Sequence, residues 1–181
     1  MVAAVLGLGA TWLVLTRGQP FDSLTLGVWT AWPRTGTTGI DPYARALYAR
    51  TGVLPLGSGD GLAFHATADE DGNPLDGRCD VVIAGTTPTA RYWTLTLYDA
   101  DGGLVPNAID RYGFTSQEIT RNADGSFEIV AAPRARAGNW LPTGGIERYR
   151  LVLRLYDTPV GLSIRAAREV PMPGITLRAC P

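Results

Sequence analysis

The sequence predicts a mainly β protein, an antiparallel β-sandwich of jelly-roll type, with an N-terminal transmembrane helix and one short helix at about 41–51. Three observations predict it. The run Arg91-Tyr-Trp-Thr-Leu-Thr-Leu-Tyr-Asp99 alternates Trp93, Leu95 and Leu97 with Tyr92, Thr94, Thr96 and Tyr98, and an Asp-Gly turn ends it. Period-2 alternation rich in aromatic and β-branched residues is the mark of a central strand entering a hairpin. A second run, Leu151-Val-Leu-Arg-Leu-Tyr-Asp157, repeats its Leu-x-Leu-Tyr-Asp ending, so both read as core strands of one sheet system. From Gly61 onward, short strand patterns alternate with Asp-Gly turns, the spacing of a sandwich or jelly roll.

The elements follow in order. Val2 to Leu15 is uncharged and almost wholly apolar, and Arg17 stops it. A helix over residues 1 to 16 reaches roughly 24 Å, short of the ~30 Å hydrocarbon core. No basic residue precedes the run and no Ala-x-Ala-like cleavage site follows it, so an uncleaved anchor in residues 1–17 is favoured over a removed signal peptide. A start site downstream of the true one, and a buried helix of a soluble protein, are the alternatives. Residues 18–59 read as a connecting segment. Within it Phe21, Trp29 and Trp32 suit either a membrane interface or the base of the domain. Asp41 suits a helix cap, Pro42 a first helical position and Gly52 a closing position, with Tyr43, Ala46, Leu47 and Arg50 on one face. Residues 60–181 form the sandwich domain. Strands are predicted at 62–68, 78–84, 91–98, 117–121, 126–131, 148–156 and 174–179, with a long loop over 132–145 and an ambiguous stretch at 162–169.

Composition bounds the function. The chain has 181 residues and a net charge of −1. That balance gives no general attraction to nucleic acid or anionic lipid. Every cation is Arg, in keeping with the coding bias of a GC-rich genome. Cys79 and Cys180 have no Cys-x-x-Cys or His neighbour to make a zinc site. In an exported domain they pair naturally as a disulfide, stabilising by roughly 2–4 kcal/mol. Two buried free thiols are the alternative.

The chemistry-bearing residues are few. Asp69-x-Asp71-Gly, Asp99-x-Asp101-Gly and Asn122-x-Asp124-Gly resemble calcium loops, but the register of an EF-hand fails and tight-turn chemistry explains them. No metal or cofactor is expected. His65 is the sole histidine; a satisfied surface or core role is weighed against a general base. Asp99 and Asp157 end the matching strands and would serve as an acid pair if they lay at one rim, although strand-end Asp is commonly a turn former. The candidate ligand-binding set is Asn107, Arg111, Tyr112, Asn139, Trp140, Arg154 and Tyr156, with Arg148 beside it. Arginine can grip carboxylates or phosphates in a fork, and Trp and Tyr can stack on flat ligands or sugars. Arg150, Val152, Arg154 and Tyr156 share one strand face, whose arginines need acceptors. The competing explanation pairs Arg154 with an acid on the next strand and uses Trp140 as a plug.

Five stretches occur in order: Tyr92-Trp-Thr-Leu-Thr-Leu-Tyr-Asp99, Leu104-Val-Pro-Asn107, Asn122-Ala-Asp-Gly-Ser126, Asn139-Trp-Leu-Pro142 and Leu153-Arg-Leu-Tyr156. Together they resemble the bacterial family catalogued as domain of unknown function 1214, over roughly residues 60 to 180. The resemblance, which is to its short, membrane-anchored members, implies a jelly-roll sandwich and export toward the periplasm. It supplies no activity and no catalytic residues. The expectation is therefore a single-pass inner-membrane protein with its C-terminal domain in the periplasm, in a binding or envelope-structural role. Its expected partners are a lipid bilayer through residues 2–16 and an envelope glycan or protein. Two alternatives stand beside it: an enzyme acting on carbohydrate or envelope glycan through acids such as Asp99 or Asp157 near Arg154, and an accessory subunit of a membrane complex contacting it through the anchor, Trp29 and Trp32.

Overall fold

The structure, a computed structural model, describes residues 2–17, 23–51, 55–57, 59–162 and 170–181. In chain order the elements are α1 (Val2–Arg17), β1 (Leu24–Leu26), β2 (Trp29–Ala31), α2 (Pro42–Thr51), β3 (Gly61–Ala66), β4 (Asp80–Gly85), β5 (Tyr92–Asp99), β6 (Gly113–Thr115), β7 (Phe127–Ala132), β8 (Asn139–Pro142), β9 (Tyr149–Tyr156) and β10 (Gly174–Ala179). The strands build a six-stranded sheet, β1-β2-β3-β9-β5-β6, and a four-stranded sheet, β10-β4-β7-β8.

The two echoing runs are direct neighbours. Strand β5 pairs antiparallel with β9, Leu95 opposite Leu153 and Leu97 opposite Leu151. Alternation then fixes the faces. Leu62 and Phe64 of β3, Trp93, Leu95 and Leu97 of β5, and Leu151, Leu153 and Leu155 of β9 point inward and are buried. They meet Val81, Ile83, Ile129 and Ala131 of the second sheet in one core. Each such side chain contributes about 1.5–3 kcal/mol by leaving water. The rings of Trp93 and Phe127 lie 5.2 Å apart across the two layers.

The segment before residue 60 also joins the sheet. Leu26 pairs with Trp29 across a two-residue turn in which Gly27 has φ 58°. Trp29 is 1% exposed, and its Nε1 donates to Pro173 O at 2.7 Å. It therefore belongs to the core and is not a membrane-interface or subunit contact; Phe21 lies outside the described residues. Helix α2 forms as its caps predict: Asp41 Oδ2 accepts the Ala44 N–H at 2.9 Å. Gly52 lies outside the described residues.

Several expectations are corrected. Among the described residues no helix is long and apolar enough to cross a membrane, so a transmembrane helix is not supported. Helix α1 forms, but its 16 residues fall short of the ~20 a span requires. The second sheet is mixed, because β7 and β8 run parallel, Ile129 opposite Asn139 and Ala132 opposite Pro142. The chain doubles back through residues 133–138 and so places a strand inside the predicted 132–145 loop. Pro142 is tolerated there because β8 is an edge strand. Residues 117–121 make only an isolated bridge, Arg121 to Phe127, and the short strand sits earlier, at β6. Residues 163–169 of the ambiguous stretch lie outside the described residues. Finally, Asp99 and Asp157 do not share a rim. The antiparallel register sets Asp99 opposite Tyr149 and Tyr92 opposite Tyr156, so the two acids lie at opposite ends of the ladder, about 25 Å apart by strand rise.

Cys79 and Cys180 meet as a disulfide, their Cα atoms 4.3 Å apart and 101 positions separated in sequence. The bond ties the end of β10 to the start of β4. Reduction is expected to lower stability by about 2–4 kcal/mol. Thermal melts with and without reductant check this, and coincident melts would count against it.

Candidate functional site

The loop residues nominated by sequence serve their own backbone. Asn107 Oδ1 accepts the N–H groups of Ile109 and Arg111, and its Nδ2 donates to Val105 O and Arg111 O. Arg111 Nη1 donates to Trp140 O at 3.1 Å, and its guanidinium lies 5.2 Å from the Phe114 ring centre. Tyr112 donates its hydroxyl to Asp110 Oδ1 at 3.2 Å. Asn139 is buried; its Oδ1 accepts Thr120 N–H, and its Nδ2 donates to Thr120 O and Glu128 O. Trp140 Nε1 donates to Ala132 O at 3.0 Å. These five residues hold one end of the sandwich together. Arg154 and Tyr156 stand apart from them, on the outer face of the six-stranded sheet.

The Asp-Gly turns are equally self-contained. Asp69 Oδ1 accepts the N–H groups of Asp71 and Asn73, Asp99 Oδ1 that of Gly103, and Asp124 Oδ1 that of Ser126. Among the described residues no three His, Cys, Asp or Glu side chains gather as a metal ion would need.

The outer sheet face has a different character. The register lays out rows across it: Tyr98 beside Arg150; Thr96, Val152 and His65 in the next; Thr94, Arg154 and Ala63 beyond. Arg150 and Arg154 both reach toward Tyr98, with guanidinium carbons 6.0 and 5.6 Å from its ring centre. Gly102, at φ 92°, leaves room for the Arg150 guanidinium, which a Cβ at that position would strike. Trp32, placed just after β2, brings its ring within 5.6 Å of His65. Trp32, Thr35, Tyr48, Leu62, His65 and Arg154 line a cavity of about 20 Å³, room for about one water.

Arg78 pairs with Asp76, Arg136 with Asp80 and Arg178 with Glu128. Among the described residues, no carboxylate is paired with Arg150 or Arg154. Arg150 Nε and Trp32 Nε1 are buried without a hydrogen-bond partner. Burial, reinforced by the Arg150 and Arg154 cations, pushes His65 down to about 4. At neutral pH the imidazole is therefore uncharged between two cations.

Sequence reasoning placed Arg150 and Arg154 on a polar strand face but did not join them to His65, Trp32 and Tyr98. The usable signal was Gly27, whose turn makes β1–β2 a hairpin and carries Trp32 to the edge of β3.

Fold and face together define a two-sheet β protein whose larger sheet presents an outward surface of arginine and aromatic side chains. The chain belongs to the family described as Protein of unknown function (DUF1214), whose model matches residues 60–160. No curated protein matches the chain. Its fold is similar to that of the VPA0106 protein from Vibrio parahaemolyticus, at TM-score 0.64 and 19% identity over 98% of this chain. The chain spans 44% of that protein's length. A putative uncharacterized protein from Burkholderia cenocepacia gives TM-score 0.48 at 17% identity, covering 99% of this chain and 43% of that one. At 19% identity the likeness to the VPA0106 protein is one of fold alone.

Proposed function

We propose that this chain is a membrane-anchored binding module, with α1 as the anchor and the outer face of the six-stranded sheet as the binding surface. The observation that carries the reading is α1. Val2, Val5, Leu6, Leu8, Trp12 and Leu13 are 53–74% exposed, and residues 2–16 bear no charge. A helix apolar on every side is unstable in water and suits the interior of a lipid layer. Helix α2 links this anchor to the body, since the Arg50 guanidinium lies 5.6 Å from the Trp12 ring centre.

The disulfide supports a sandwich held in an oxidising compartment, which for an inner-membrane protein is the periplasm. The separation of Asp99 from Asp157 gives no support to an acid-pair enzyme at those residues.

Flotation with neutral phosphatidylcholine vesicles tests the anchor. The full chain is expected to float. A variant lacking residues 2–16 is expected to stay at the bottom while keeping the circular-dichroism melt of the sandwich. A full chain that stays at the bottom would remove the anchoring half of the proposal.

A further inference from the structure

We infer that the outer face of the six-stranded sheet binds an oxyanion, a phosphate or carboxylate group of its ligand, between the guanidinium groups of Arg150 and Arg154 beside the Tyr98 ring. This deepens the binding reading above and rests on its choice of face, although not on the anchor.

The argument is one of unmatched donors. The two arginines supply planar, forked cationic donors. Here they stand on one strand, flank a single tyrosine ring and pair with no carboxylate among the described residues, whereas Arg78, Arg136 and Arg178 each have one. Their register neighbours on the sheet are Tyr98, Thr94 and Ala63, with Thr96, Val152 and His65 in the row between, none of them acidic; Arg150 also lies against Gly102 in the turn that holds Asp99 and Asp101, neither of which pairs with it among the described residues. Buried donors normally find acceptors, and the exceptions call for an explanation. Arg150 Nε is one such donor. An oxyanion supplies what the two guanidinium groups lack: acceptor lone pairs, and a negative charge between two cations. Guanidinium is well shaped for it, because its fork matches carboxylate and phosphate oxygens. The cavity beside Trp32 is about 20 Å³ and admits only about one water, so the anion lies outside it, on the open face.

The phosphate could be free or carried on a lipid headgroup, since α2 both lines this cavity through Tyr48 and packs against α1. Two arms of one experiment separate these sources. The first titrates the full chain, in detergent, with inorganic phosphate and with acetate by calorimetry, and follows the imidazole by NMR. His65 is the only histidine, so one ring signal reports on this face. Saturable binding is expected, together with a rise in the His65 pKa as the anion offsets the two cations. The Arg150→Gln/Arg154→Gln variant is expected to bind at least about ten-fold more weakly, as loss of charge-assisted hydrogen bonds implies. Arg78→Gln, at a paired arginine outside this face, should bind as the parent does. The second arm compares flotation with neutral vesicles and with vesicles containing phosphatidylglycerol. A headgroup source predicts a preference for the anionic vesicles that the double variant loses while still floating with neutral ones.

Either arm responding in this way supports the site and names the source. Equal behaviour of parent and double variant with both probes and both vesicles overturns it, even if the chain floats and the anchor reading stands. Unchanged circular-dichroism melts of the double variant exclude misfolding as the cause of any loss.

Discussion

Acidification from neutral pH to about 4 is expected to cost the fold about 3 kcal/mol through His65 alone, at 1.36 kcal/mol per pKa unit. The sign follows from where the proton binds. The unfolded imidazole takes it up near its ordinary 6.5, while the folded one resists until about 4. Between these values the unfolded state holds more protons, so stability is full above about 6.5 and is lost as the pH falls toward about 4. The causes are burial against Trp32 and the cations of Arg150 and Arg154. Urea denaturation midpoints across this range, for the parent and His65→Gln in buffers without phosphate, give the measurement. Glutamine cannot titrate, so the two stability curves should diverge by this amount, the parent having the steeper acid loss. Curves that run parallel would show that His65 is not held neutral by its surroundings. Ordinary carboxylates contribute equally to both proteins and cancel.

Asn139→Ala is expected to lower stability by about 3 kcal/mol or more. The side chain makes three hydrogen bonds of 2.8–2.9 Å: Thr120 N–H to Oδ1, and Nδ2 to Thr120 O and Glu128 O. Each is worth about 1 kcal/mol net, and a buried group stripped of its partner costs about 1–3 kcal/mol. For a chain of this size that corresponds to a fall in Tm of about 6–12 °C. Trp140→Phe loses only the bond from Nε1 to Ala132 O, so its fall should be well under half as large. Differential scanning calorimetry on the two variants decides the matter. A melt of Asn139→Ala within a degree or two of the parent would mean that the residue does not pin these strands. Its ligand-facing role would then need to be reconsidered.

The strands that could be read from the sequence are those whose two faces see different surroundings. Strands β3 and β5 bury alternate residues, so Phe64, Leu95 and Leu97 print a period of 2 onto the chain. Strand β10 was found to the residue. Strands β1, β2, β6 and β8 were missed because each has three or four residues, too few to establish a period. The parallel course of β8 was invisible for a further reason. A six-residue return loop normally predicts an antiparallel partner, and only contacts distant in sequence reverse that. The candidate site divided in the same way. Asparagine and aromatic residues on loops look alike in sequence whether they hold a ligand or their own backbone, and Asn107 and Asn139 do the latter. The rows His65–Val152 and Arg150–Tyr98 exist only once β9 is placed between β3 and β5. That placement is not encoded near any of those residues.

The position of β9 also governs when the molecule can assemble. Strands β3 and β5 both take β9 as neighbour, and β4 takes β10. On a ribosome, the apolar edges around Phe64, Ile83 and Leu95 emerge long before the residues that cover them. A nascent chain interrupted short of Tyr149 holds three unsatisfied strand edges, a template for aggregation. The polypeptide therefore stays open at these edges until β9 and β10 have been made.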